Sequence, residues 1–242
     1  MKVSVPIVLL AALAAATPVM ASELKTNPKA VLELFTSQGC SSCPPADALL
    51  KSLQPRADLI TLAYHVDYWD YIGWTDTFDS KESTDRQRSY ASAWGSNKVY
   101  TPQLVVNGAR DVVGSNRGDV ESAIAAAALP VPVSLKPDTD GMLQVDAGGK
   151  AGEQGAGVWL VTYIDKADVK VERGENAGRE LAYTQVVTGR HILGMWDPQT
   201  GAHLKLPLDE VLTAPSNGAV ILVQAEKNGL PGPILGAAAF TR

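Results

Sequence analysis

The sequence predicts an α/β first half followed by an antiparallel, β-rich second half, and three observations carry that expectation. Between residues 30 and 66 an apolar run, a Cys-Ser-Ser-Cys, a helical stretch and a second apolar run follow one another. An alanine-rich helical stretch, Asp119 to Leu129, closes that half. After Pro130-Val131-Pro132 helical spacing disappears, and short apolar runs separated by turn residues take over.

The chain opens with Met1-Lys2, an apolar run from Val3 to Ala16, and Val19-Met20-Ala21 before a polar turn at Ser22-Glu23. One basic residue, a short apolar core and a small-x-Ala end are the parts of a secretory signal peptide. The run is shorter than the roughly 20 apolar residues a membrane span needs, and Pro6 and Pro18 interrupt and close it. Cleavage is expected after Ala21, which leaves no stable membrane span and implies a periplasmic or secreted protein. The remainder divides into domains over residues 22–129 and 130–242. Removing Lys2 leaves 20 basic against 26 acidic residues, a net charge of −6. That charge argues against nucleic acid as a partner, because phosphate binding needs a basic footprint.

Within the first domain, Ala30 to Thr36 reads as a buried strand bounded by Pro28 and Ser37-Gln38-Gly39. Ala46, Leu49, Leu50 and Leu53 recur at helical spacing up to Pro55, and Leu59 to Val66 forms a second strand, which makes a parallel βαβ unit. An aromatic stretch, Asp67 to Trp74, precedes a polar helix over Ser80 to Trp94. Thr101 to Gly108 is a strand entering a turn, and Asp111 to Gly114 pairs back as a hairpin. In the second domain, Val133–Leu135, Leu143–Val145, Val158–Ile164, Leu181–Val187, Leu204–Leu206 and Val220–Val223 read as strands of a small antiparallel sandwich.

The two cysteines, Cys40 and Cys43, sit in one C-x-x-C. An exported protein normally uses cysteines as long-range staples. A bridge over two intervening residues closes too small a loop to add much chain-entropy stabilisation. The pair therefore points to thiol chemistry, with an inert local disulfide as the alternative. Cys40, expected to face solvent ahead of the helix, is the candidate nucleophile. Its thiolate gains from the helix N-terminus and local amides, and Cys43 is the resolving thiol. Pro44-Pro45 directly after Cys43 place the helix start near Ser42 or Cys43, or kink it.

A strand leading into C-x-x-C, a helix after it and a Thr101-Pro102 dipeptide opening a later strand together resemble the thioredoxin superfamily. The run Leu34 to Asp47, with His65-Val66-Asp67-Tyr68-Trp69-Asp70 after it, is more closely similar to an uncharacterised family of secreted bacterial proteins. That family has a thioredoxin-like first domain and a β-rich second one. The resemblance implies an α/β thioredoxin-like N-terminal domain followed by an antiparallel β-sandwich-like C-terminal domain. It implies that Pro102 is a cis-proline against the redox pair, with the Thr101 backbone free to bond an extended substrate. It also implies a buried carboxylate that takes the proton of the second cysteine. Glu33, on the same strand face as Val31 and Phe35, is the candidate, with an exposed edge position as the alternative.

His65 and Asp67 end the second parallel strand, on the side where ligand sites of open α/β sheets gather. Five of fifteen aromatics lie between Tyr64 and Trp74, so Trp69 and its neighbours form a substrate-docking surface or a loop packed on the second domain. The function expected is thiol–disulfide exchange with a periplasmic protein or small thiol, without a cofactor. Two alternatives stand beside it. One is a Cu or Zn chaperone using Cys40, Cys43 and His65, although C-x-x-C supplies only two ligands. The other is a non-catalytic binding or assembly module.

Overall fold

The computed structural model describes residues 23–150, 152 and 155–242. The expected leader, residues 1–21, lies outside them. A short strand, β1 (Glu23–Thr26), precedes β2 (Ala30–Thr36), whose near-continuous apolar run is buried along its whole length. Strand β3 (Leu59–His65) is equally buried and pairs parallel with β2, from Ala30↔Leu59 to Thr36↔His65. Continuous apolar runs mark strands covered on both faces. Helix α1 (Pro44–Leu53) joins the two and covers one face, packing Ala46, Leu49, Leu50 and Leu53 on Leu32, Leu34 and Ala63. Cys43 is its N-cap and Pro44-Pro45 form its start, where helix amides have no partner in any case, so no kink is needed.

Helix α2 (Lys81–Ala93) begins at Ser80, whose hydroxyl accepts from the Ser83 amide. It covers the opposite face, placing Tyr90 among Val31, Phe35, Leu62 and Tyr64. Strand β4 (Gln103–Val106) pairs antiparallel with β2, and β5 (Arg110–Val113) with β4. Asn107 and Gly108 turn the chain between them at φ 49° and 62°. Helix α3 (Arg117–Ala126) lies on the α1 side and is capped by Asn116.

The rest is almost entirely strand: β6 (Val133–Pro137), β7 (Met142–Ala147), β8 (Ala156–Lys170), β9 (Glu180–Trp196), β10 (Ala202–Pro207), a short α4 (Leu208–Val211), β11 (Gly218–Lys227) and β12 (Leu230–Thr241). Nine strands form one sheet in the order β1-β12-β11-β8-β9-β3-β2-β4-β5. The sheet crosses residue 130 without a break, because β9 lies parallel to β3 at Ala63↔Val186 and β1 pairs with β12. At that seam Thr61 Oγ1 donates to Gln185 Oε1 at 2.5 Å, and Gln185 takes φ 49°. Strands β6, β7 and β10 form a separate antiparallel sheet. It packs on the far end of the large one around Val133, Val145, Trp196, Ile221 and Phe240.

The molecule is thus a mixed α/β protein dominated by strands and one large sheet. Among the described residues no helix is long and apolar enough to cross a membrane. Hairpin β8–β9 is much longer than its apolar segments alone predict. Its arms pair out to Lys170↔Glu180, which carries the intervening loop to the carboxyl end of β2.

Candidate functional site

Cys40 and Cys43 are joined as a disulfide in the link from β2 to α1. The expected solvent-facing sulfur is not found: Cys40 is 1% exposed and Cys43 0%. Two segments close over them. Trp69 approaches so tightly that a Cβ on Gly39 would lie 3.1 Å from its Cβ, which explains a glycine there. From the β8–β9 loop, Asn176 Nδ2 donates to the carbonyls of Gln38 at 2.9 Å and Cys40 at 3.0 Å. Trp74 from the aromatic stretch bonds Gln38 Oε1 at 2.8 Å and packs beside Gly174 of the same loop. Part of that stretch therefore packs on the second half of the chain, while Tyr71 is 80% exposed.

Thr101 and Pro102 are tied to residues that border the pair. The peptide between them is cis. Trp69 Nε1 donates to Thr101 Oγ1 at 2.7 Å, tying Thr101 to the residue that covers Gly39. On the other side, Pro102 and Ala46 of α1 close on Gly114, where a Cβ would be 3.5 Å from the one and 3.3 Å from the other. Pro44 and Pro45 remove two amide donors from the helix start, and the Ala46 and Asp47 amides are spent on the Cys43 carbonyl. Stabilisation of a Cys40 thiolate there rests on the dipole of α1 and on the Ser42 hydroxyl, 3.4 Å from Cys40 Sγ.

Glu33 is buried, but on the α2 face of the sheet and away from α1. Its Oε1 accepts from Arg86 Nη2 at 2.6 Å and Nε at 2.8 Å, and its Oε2 from Tyr90 at 2.5 Å. Strand alternation sends the side chain after Leu32 and before Leu34 to the face opposite theirs, so Glu33 cannot serve the cysteines. Asp67 is also drawn away: its carboxylate accepts from Thr84 on α2 at 2.6 Å.

The buried carboxylate near the pair is Asp47, one helical turn after Cys43 and on the same helix face. Its Oδ1 accepts from Thr36 Oγ1 at 2.8 Å, while Oδ2 has no partner among the described residues. Burial pushes its pKa up to about 7, with His65 and Thr36 opposing the rise and Asp76 adding to it. His65 is buried, with Nδ1 2.7 Å from Asp76 Oδ2 and Nε2 without a partner. Asp76 sits below the usual carboxylate range: burial raises it, but His65 and the Gln38 and Phe78 amides together outweigh that. Tyr183 of β9 stacks edge-on against the His65 ring at 4.7 Å, and its hydroxyl too is buried without a partner. Three orphaned polar atoms, on Asp47, His65 and Tyr183, thus gather on the α1 side of the sheet, and such groups normally find partners or water.

Asp47 was legible in the sequence, since a lone acid interrupts the apolar stripe of α1. Asp76, Asn176 and Tyr183 carry no local signal, because only the path of the loops and of β9 brings them in. Among the described residues no three His, Cys, Asp or Glu side chains converge in a way that would hold a metal ion.

A strand-dominated α/β protein with a buried C-x-x-C disulfide is the class that fold and site define. The chain matches the family described as "Protein of unknown function (DUF1223)" over residues 31–224, and it belongs to that family. It is similar to a protein of Agrobacterium tumefaciens solved by X-ray crystallography in a structural-genomics programme. The two share 37% identity and a TM-score of 0.79 over 89% of this chain and 95% of that one. No curated protein matches the chain.

Proposed function

We propose that this is an exported thiol–disulfide oxidoreductase whose first half is a thioredoxin-like module. It acts on a protein or small-molecule thiol of the periplasm. The observation that carries the reading is the Cys40–Cys43 disulfide at a helix start, with the half-satisfied carboxyl of Asp47 one turn below and Thr101 bonded to the Trp69 that packs on Gly39. Strand order β3-β2-β4-β5, with α1 and α3 on one face and α2 on the other, supports the module. The leader at residues 1–21 supports export.

In this reading the Cys40 thiolate attacks one sulfur of a substrate disulfide, and the other sulfur leaves as a thiolate. Cys43 gives its proton to Asp47 and attacks Cys40 Sγ, which releases the second substrate thiolate and re-forms the Cys40–Cys43 bond. A dithiol partner reverses these steps to regenerate the reduced pair. Trp69 and Thr101 border the substrate's approach. His65 and Asp76 position the proton store rather than touch the substrate.

The burial of Cys40 favours one competing reading, an inert local bridge. Alkylation of the protein in graded redox buffers separates the two. With little amide stabilisation of a thiolate, the expected potential is about −200 to −270 mV, with Cys40 alkylated first once reduced. A value below about −300 mV, with Cys40 unreactive in the folded state, would establish the inert bridge.

A further inference from the structure

On the sheet face opposite Asp47, a groove of about 1050 Å³ runs between α2 and strands β8 and β9. Two guanidiniums lie on its floor and only one is matched. Arg86 has Glu33 at 2.6 Å, whereas among the described residues no carboxylate oxygen lies within 4.0 Å of Arg190. Arg190 Nη2 donates to Gln224 Oε1 at 3.1 Å, an oxygen that Arg86 Nη2 also reaches at 3.3 Å, and Arg190 Nε has no partner. The nearby Tyr64 and Tyr90 hydroxyls are held neutral by burial. Glu33 is thus spent on Arg86, which leaves Arg190 without a direct carboxylate partner among the described residues, and charges removed from water are normally paired.

Arg190 is held in place. Its guanidinium carbon lies 3.3 Å from the centre of the Trp159 ring. The indole in turn lies over Gly157, where a Cβ would meet Trp159 Nε1 at 2.5 Å. Burial, then the nearby Arg86, pull the pKa of Arg190 down to about 10, so it remains charged at neutral pH.

We propose that this groove binds a monocarboxylate with an apolar body, its carboxylate paired with Arg190 and its body lying along the groove. One guanidinium without a direct carboxylate calls for a single anionic head group. Phe78, Ile164, Val187 and Pro231 provide apolar wall, and the volume suits a small organic ligand. Asp79, Glu82, Asp85 and Glu226 line the groove as well and disfavour a ligand with several negative charges. The site is independent of the cysteine chemistry, which belongs to the other side of the sheet.

The test is calorimetric titration of the oxidised protein with octanoate, 1-octanol and octyl phosphate, each below its micellar range. Octanoate is expected to bind one to one, with the alcohol and the phosphate ester at least tenfold weaker. Arg190→Gln is expected to weaken octanoate by at least tenfold, the loss of a charge-assisted pair. Octanol binding as tightly as octanoate, octyl phosphate binding more tightly, or no octanoate binding at millimolar concentration would each overturn the proposal. The three-ligand comparison on the unmodified protein decides the matter even if Arg190→Gln does not fold.

Discussion

Thr36 Oγ1 donates a 2.8 Å hydrogen bond to Asp47 Oδ1, while the buried Asp47 Oδ2 has no partner among the described residues. Thr36 ends β2 and Asp47 lies in the first turns of α1, so this bond spans the link that holds Cys40 and Cys43. A carboxyl half-satisfied in this way is suited to exchange a proton near neutral pH, which a fully bonded carboxylate is not.

The pKa of Asp47 has a consequence for stability. Between the ordinary carboxylate pKa of 3.8 and the folded value of about 7, the native state holds a proton that the unfolded chain has released. Stability therefore falls as pH rises through that window, and the loss is complete above about pH 7. Asp47→Asn removes this term. Relative to the unmodified protein, it should gain stability at pH 8 compared with pH 4 by up to about 4 kcal/mol, at 1.36 kcal/mol per pKa unit. Urea denaturation of both oxidised proteins at the two pH values measures it, and parallel pH profiles would refute it.

Glu33 and Arg86 should behave as a structural pair. Glu33→Gln leaves a buried guanidinium without its carboxylate, and about 3–5 kcal/mol of stability should be lost. The reduction potential of Cys40–Cys43 should stay within about 30 mV of the original. A larger shift, with stability intact, would return Glu33 to the redox chemistry.

Asn176 holds the β8–β9 loop to the Gln38 and Cys40 carbonyls. Asn176→Ala should cost about 1–3 kcal/mol and speed the reduction of the disulfide by dithiothreitol several-fold, because the cover over Cys40 loosens. Stopped-flow reduction of variant and parent makes the comparison. Equal rates would mean that the loop does not limit access.

Residues 23–129 expressed alone should fail to fold cooperatively. Without β9, β3 becomes an open edge, and Tyr64 and Leu62 lose Val161, Tyr163 and Val220 from their shared core. Heteronuclear NMR of the fragment would show poor dispersion. A well-dispersed spectrum would establish it as an autonomous domain.

Much of the first half could be read locally. The βαβ unit around the cysteines and the hairpin after Thr101 follow from apolar periodicity and turn residues, which act within a few residues of one another. The face on which Glu33 points followed from alternation along β2, although its partner did not. Arg86 lies 53 residues away, and nothing in the order of residues announces it.

From the sequence alone came the parallel unit, the C-x-x-C at a helix start, the change of texture after Pro130 and the acidic balance of the chain. These are determined by side-chain type and spacing, which act through local geometry and bulk charge. Only the tertiary structure decided that β9 seats against β3, that Asn176 closes over Cys40, that Glu33 meets Arg86 on the face away from α1, and that Arg190 has no direct carboxylate partner among the described residues. Each of those depends on contacts between segments far apart in the chain. Such contacts are set by how whole sheet faces bury their apolar area, and no window of sequence contains that information.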